Sequence, residues 1–293
     1  MKKQMISLIM AGMMCQALGG AVYAEEAELP KMAYEDFPKM DGSLACVPLM
    51  EALGRKVTDC SENEAESLLD DFSNTNPCYL ALAEGNRDFC IAYEPAGETV
   101  EKLKEYAPLT MNPVGKDALV FIVNEGNPVD TLTTAQVHDI FTGKITNWKE
   151  VGGEDAKIQV FTRPEKSGSQ TLMRKLLIGE EAMTEANTKE VSTMEGMITE
   201  FLDYDNSAAA IGYSVYYYAS EMMGVSGMKF VSVEETAPTK ETIADGSYPL
   251  VNDFYFVTRE DSPDSAKNIG NWLLSSEGQD FVEECGYVPV EKK

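Results

Sequence analysis

The sequence predicts an α/β protein in which helices cover the faces of sheet layers. Two observations carry this. Short apolar runs of strand length alternate with amphipathic stretches of helical period, an order that builds sheets flanked by helices. The chain is also 293 residues long, enough for two lobes that each own a core.

The chain opens with MKKQ, continues MISLIMAGMMCQALGGAVYA, and turns acidic at EEAELPK. Two lysines, an apolar stretch and Val22-Tyr23-Ala24 form a secretory signal peptide over residues 1–24, cleaved after Ala24. The residues before Cys15, Gly12-Met13-Met14, lack the aliphatic start and the small final residue of a lipobox, so lipidation at Cys15 is not expected. No later segment reaches the roughly 18 apolar residues of a membrane span. The mature protein is expected in the periplasm or at the extracellular face, and soluble.

Residues 25–40 are acidic and punctuated by proline, a loose lead into the fold. The strand candidates are 88-DFCIAY-93, 118-ALVFIVN-124, 157-KIQVF-161, 208-AAAIGY-213, 228-MKFVSV-233 and 251-VNDFYFVT-258. Between them lie helix candidates at 62–72, 134–141, 169–177, 194–205 and 262–274. The last opens with Ser262-Pro263, a strong start signal. The run 213-YSVYYYAS-220 reads as a helix packed on the sheet, and Trp148 and Trp272 read as packing residues. The acidic run 61-SENEAESLLDD-71 is a solvated helix face and lacks the spacing of a calcium loop.

Charge and rare residues exclude whole classes of function. The net charge is −25, and loss of the leader removes Lys2 and Lys3 as well. Such a surface repels nucleic acid and anionic membranes. An anion site must therefore be local, made of aimed donors. His138 is the single histidine; it lies in the helical TAQVHDIF, which removes His-rich metal sites and weakens any Ser-His or Cys-His triad. After cleavage Cys46, Cys60, Cys78, Cys90 and Cys285 remain, an odd number with no CxxC, so at least one thiol stays outside any internal disulfide.

The octet 163-RPEKSGSQ-170 carries the chemistry. Arg163 presents a planar fork suited to a carboxylate or phosphate. Ser167 and Ser169 add hydroxyls, and Gly168 lets a ligand approach the backbone. A helix starting here brings unpaired amides at its positive end. The alternative is a Ser cap beside a solvated Arg. The octet follows the strand KIQVF directly, where ligands of open α/β sheets sit.

Several collinear segments carry a resemblance. The stretch 139-DIFTGKITNWKEVGG-153 is similar to a signature of the phosphate-binding proteins of phosphate ABC transporters (PstS-like, periplasmic-binding-protein superfamily). The same order continues with 163-RPEKSGSQT-171, 207-SAAAIGYS-214, 246-GSYPL-250 and 277-EGQDFVEECGYVPV-290, preceded by 41-DGSLACVPLMEAL-53. The resemblance implies a two-lobed periplasmic-binding-protein fold (type II-like) with the ligand in the cleft: 33–113 plus 245–293 as lobe one, 114–244 as lobe two. Matching the family's Arg-x-x-x-Ser-Gly-Thr motif assigns ligand contacts to Arg163, Ser167, Gly168 and Ser169, with Ser in place of Thr. The opening loop adds Ser43 and, through its N–H, Leu44. The loop 73-SNTNPCYLAL-82 adds Thr75 or Asn76, with a helix cap as the alternative for Thr75. The implied partners are inorganic phosphate or a similar oxyanion and a transporter permease. A monomer without metal or cofactor is expected.

One departure stands out. Where the family places an aspartate that accepts the proton of monohydrogen phosphate, this chain reads Ala92-Tyr93-Glu94-Pro95. Tyr93 aligns with the aspartate and cannot ionise at neutral pH; Glu94 is one residue later and neighbouring strand residues face opposite ways. Three functional classes follow: solute capture for an ABC permease, an exported binding module that does not transport, and a secreted hydrolase. The third lacks a recognisable nucleophile, base and metal; Ser169 in GSQ is not a G-x-S-x-G elbow.

Overall fold

The computed structural model describes residues 27–204, 207–224 and 226–290. The leader expected over residues 1–24, with Cys15, lies outside the described residues. The first half of the chain supplies β1 (Met40–Gly42), α1 (Val47–Thr58), α2 (Glu62–Ser67), α3 (Thr75–Ala83), β2 (Phe89–Ala92), α4 (Gly97–Leu103), β3 (Thr110–Asn124), β4 (Thr131–Leu132) and α5 (Thr134–Thr142). There follow β5 (Gln159–Thr162), α6 (Gly168–Met173), β6 (Thr188–Glu190), α7 (Met194–Leu202), β7 (Ala210–Val215), β8 (Met228–Val233), α8 (Lys240–Ala244), β9 (Val251–Thr258), α9 (Asp264–Leu273) and α10 (Ser276–Glu284).

The strands run in the order β1-β2-β9-β3-β7-β5-β6, with β8 also on β3 and β4 on β8. Strand β3 joins the two lobes. Its first part, Thr110–Ala118, lies antiparallel to β9, and its second part pairs β7 and β8. The parallel pairs β1–β2 and β5–β6 lie at opposite ends, so the loops leaving β1 and β5 can face each other.

Aromatic packing holds each lobe. Phe89 stacks on Phe256 at 4.7 Å on the β2–β9 side, and Phe161 meets Phe201 edge-on at 5.5 Å on the β5–α7 side. Both tryptophans are buried; Trp148 Nε1 donates to the Ala209 carbonyl at 2.8 Å. Each such ring contributes about 1.5–3 kcal/mol through burial.

Several boundaries differ from expectation, for physical reasons. The 62–72 helix starts with a Ser61/Glu64 capping box but stops at Ser67, where Asp70 and Asp71 would oppose the negative end of the dipole. The strand expected at 118–124 begins eight residues earlier, at Thr110. Pro113 and Gly115 look like breakers, yet they form a bulge against β9. A Cβ on Gly115 would sit 2.2 Å from the Phe254 ring. The 262–274 helix begins at Asp264 because Ser262 Oγ is committed to Arg259 N and the Asp88 carbonyl. The 213–220 stretch is strand to Val215, followed by a π-helical turn at Tyr218–Met222. His138 is half-buried on α5 between Asp139 (3.1 Å) and Glu181 (3.2 Å). Cys46, Cys78 and Cys90 are buried free thiols; Cys60 and Cys285 are free and partly exposed.

Candidate functional site

The front of the site is built around Asp41 at the end of β1. This buried carboxylate accepts from Gly42 N (2.7 Å), Ser73 N (3.0 Å) and Ser73 Oγ. It thereby ties the 73–75 loop to the 42–44 loop. Gly42 is required for the approach: a Cβ there would come 2.1 Å from the Ile91 carbonyl oxygen. Ser43, buried, exchanges a hydrogen bond with Thr75 Oγ1 at 2.8 Å and accepts from Tyr93 N at 3.1 Å. Leu44 opens a single helical turn, Leu44–Cys46, so its N–H has no acceptor within that turn. Thr75 is the first residue of α3, but the cap is Asn74, whose side chain accepts from Thr75 N. The Thr75 hydroxyl is thus left to the site.

The opposite wall is the octet after β5. Ser167 caps α6 by accepting from Gln170 N at 3.2 Å, so the cap reading of that serine is correct. Arg163, however, is not solvated: it is 6% exposed, and its Nε and Nη1 have no protein partner. Ser169 Oγ is likewise buried without a partner. Desolvation lowers the Arg163 pKa, with the fields of Tyr213, Tyr218 and Glu190 opposing. The loop is pinned from behind. Tyr213 Oη accepts from Arg163 N (2.9 Å) and donates to Gln170, and Gln170 Nε2 donates to Glu165 (3.1 Å). Glu165 in turn binds Arg174 at 2.6 and 3.2 Å.

The two walls touch. A Cβ on Gly168 would sit 2.7 Å from Thr75 Oγ1, so Ser43, Thr75 and Gly168 lie together with the Arg163–Ser169 loop. Asn76 is not a lining residue. It bridges the walls, donating to the Lys166 carbonyl (2.8 Å) and accepting from Ala96 N (2.7 Å). A broad surface hollow of about 600 Å³ beside Lys31, Arg55 and Phe281 shares no residue with this site.

The two residues at the departure point also have other employment. The Tyr93 hydroxyl donates to Asp117 Oδ2 at 2.6 Å. Glu94 accepts from Tyr255 Oη (2.9 Å) and pairs with Lys175 (2.6 Å), just past α6. Asp117, buried on β3, also accepts from Ala118 N (2.7 Å) and Tyr217 N (3.1 Å). Burial nevertheless pushes its carboxyl up to about 6. Sequence reasoning missed Asp41, Asp117 and Lys175. The available signal for Asp41 was an acid before a Gly-Ser turn; for Asp117 it was a charge inside an apolar strand.

Two lobes connected by β3 and by the return of the chain into β9, with donor-lined loops meeting between them, are the architecture of the periplasmic binding proteins. A family model of the PBP superfamily domain matches residues 71–277, and the chain belongs to this superfamily and, within it, to the PstS-like phosphate-binding proteins. It is 31% identical over 210 residues to the phosphate-binding protein PstS of Borreliella burgdorferi, covering 70% of this chain and 74% of that one. Among solved structures, it resembles one from Clostridium perfringens described as a phosphate ABC transporter substrate-binding protein with bound phosphate. That pair shares 27% identity and a TM-score of 0.65 over 86% of this chain and 98% of that one. An ABC-type phosphate transport receptor from Vibrio cholerae, at 22% identity and TM-score 0.62, covers 85% of this chain and 98% of its own; it shares the fold.

Proposed function

We propose that this chain captures phosphate or a related tetrahedral oxyanion between its lobes, outside the cytoplasm, and delivers it to an ABC transporter permease. The observation that carries this reading is Arg163: a buried cation with two unpartnered nitrogens beside the unpartnered Ser169 Oγ. Burying a charge without a partner costs several kcal/mol, a cost that an anionic ligand offsets. Arg163 supplies the charge and a bidentate fork. Ser43, Thr75, Ser167 and Ser169 supply hydroxyls, and Leu44, Gly168 and Ser169 supply backbone N–H groups. The exported reading rests on the leader; among the described residues no helix is long and apolar enough to cross a membrane. Binding, not turnover, suits the site, because the Ser43 and Thr75 hydroxyls bond one another and neither is activated by a base.

Lobe one comprises 33–113 and 245–293 and lobe two 114–244 in this reading, and the ligand draws them together. Calorimetric titration with phosphate, paired with small-angle scattering, tests it. Saturable binding with a reduced radius of gyration is expected; absence of binding to any tetrahedral oxyanion would sink the proposal.

A further inference from the structure

Around the cradle, the carboxylates of Glu94, Glu165, Asp41 and Asp117 are already committed. Glu94 holds Lys175 at 2.6 Å and Tyr255 Oη at 2.9 Å. Glu165 holds Arg174 and Gln170. Asp41 is spent on the 42–44 and 73–75 loops, and Asp117 on Tyr93, Ala118 and Tyr217. Glu190 is exposed on β6 and reaches Arg163 only through its field. The groups these commitments leave to the cradle are the Arg163 guanidinium, the hydroxyls of Ser43, Thr75 and Ser169, and backbone N–H groups.

That composition has a consequence for selectivity. A carboxylate in an anion site accepts the proton of monohydrogen phosphate and repels an oxyanion that has no proton to give. A hydroxyl carries no charge and can turn either to accept that proton or to donate to an ionised oxygen, so it does not repel an oxyanion without a proton. We propose that this cradle takes fully ionised tetrahedral dianions of the sulfate class alongside phosphate, with only weak discrimination between them. The inference rests on reading the cradle as an oxyanion site and adds its selectivity. Glu94 acts here as a clasp between the walls and not as the proton acceptor.

The test is calorimetric titration of the full mature chain with inorganic phosphate and with sulfate, at fixed ionic strength, in wild type and Glu94→Gln. Sulfate is expected to bind within about tenfold of phosphate in the wild type. Glu94→Gln is expected to weaken both anions by the same factor, leaving their ratio unchanged. Rejection of sulfate by roughly a hundredfold or more, with phosphate still bound, overturns the inference while sparing the oxyanion reading. A selective loss of phosphate in Glu94→Gln, with sulfate gaining, also overturns it by making Glu94 the acceptor. Binding of neither anion by the wild type overturns both.

Discussion

Arg163 and Asp117 are both buried charges, at 6% and 1% exposure, and the protein treats them in opposite ways. Asp117 is surrounded by donors of its own chain: the Tyr93 hydroxyl and the amides of Ala118 and Tyr217. Arg163 has its backbone pinned by Tyr213, while Nε and Nη1 point at no protein acceptor. A buried charge that the chain itself satisfies belongs to the fold; one that it leaves open belongs to a ligand. The same contrast separates Glu165 from Arg163 within one octet. Arg174 neutralises the glutamate and so leaves the arginine free.

The sharpest way to break the comparison is to truncate Asp117. Asp117→Ala leaves the Tyr93 hydroxyl and two amides buried without an acceptor, each worth about 1–3 kcal/mol. A loss of about 3 kcal/mol or more in unfolding free energy is expected, read by chemical denaturation. An unchanged midpoint would show that the bonds of Asp117 to Tyr93, Ala118 and Tyr217 do not stabilise the fold.

The charge on Asp117 also leaves a pH signature. Three hydrogen bonds do not outweigh desolvation, and its pKa stands at about 6 against an ordinary 3.8. Because the folded value is raised, the folded state binds the proton more tightly than the unfolded chain. The contribution to stability is complete below about pH 3.8 and is lost as pH rises through about 6. Relative to Asp117→Asn, the wild type should therefore gain stability on acidification from pH 7 to 4.5, by on the order of 2–3 kcal/mol at most. Parallel stability curves for the two proteins would refute the shift.

For Arg163 the comparison predicts the reverse pattern, a change in binding and not in fold. Arg163→Ala removes a charge-assisted contact of about 1.5–3 kcal/mol, roughly tenfold to a hundredfold in affinity for phosphate. Arg163→Lys keeps charge but loses the fork, and should fall between the two. The unliganded stability of Arg163→Ala should be equal to or above wild type, because an uncompensated buried cation is gone. Equal affinity in parent and Ala variant, measured by titration, would return Arg163 to a structural role.

Much of this was legible in the chain. Periodicity located β8 and β9 to the residue and α5 to within one, because their ends coincide with turn and capping residues. The octet was legible because its donors are contiguous, so sequence spacing is spatial spacing. The first part of β3 was hidden by Pro113 and Gly115, whose tolerance depends on the bulge against β9 and on the Phe254 ring. The destinations of Tyr93 and Glu94 were hidden for a related reason. Which way a side chain turns at a strand end is set by partners 24 and 161 residues distant, Asp117 and Tyr255, and no local pattern encodes that.

The smallest expected effect concerns the clasp. Lys175 pairs with Glu94 at 2.6 Å and with Asn252 Oδ1 at 2.7 Å, joining the segment after α6 to the loop after β2 and to β9. Its side chain is 39% exposed and that of Glu94 is 32% exposed, so solvent screening limits the pair to about 0.2–1 kcal/mol. The pair forms only when the two walls are together, and its worth therefore appears in ligand affinity, not in the stability of either lobe. Lys175→Met should weaken phosphate binding by no more than about fivefold at low salt. Raising ionic strength screens the wild-type pair, so the gap between the two proteins should narrow as salt increases. A loss as large as that of Arg163→Ala, insensitive to salt, would mean that Lys175 touches the anion itself and that the cradle holds a second cation.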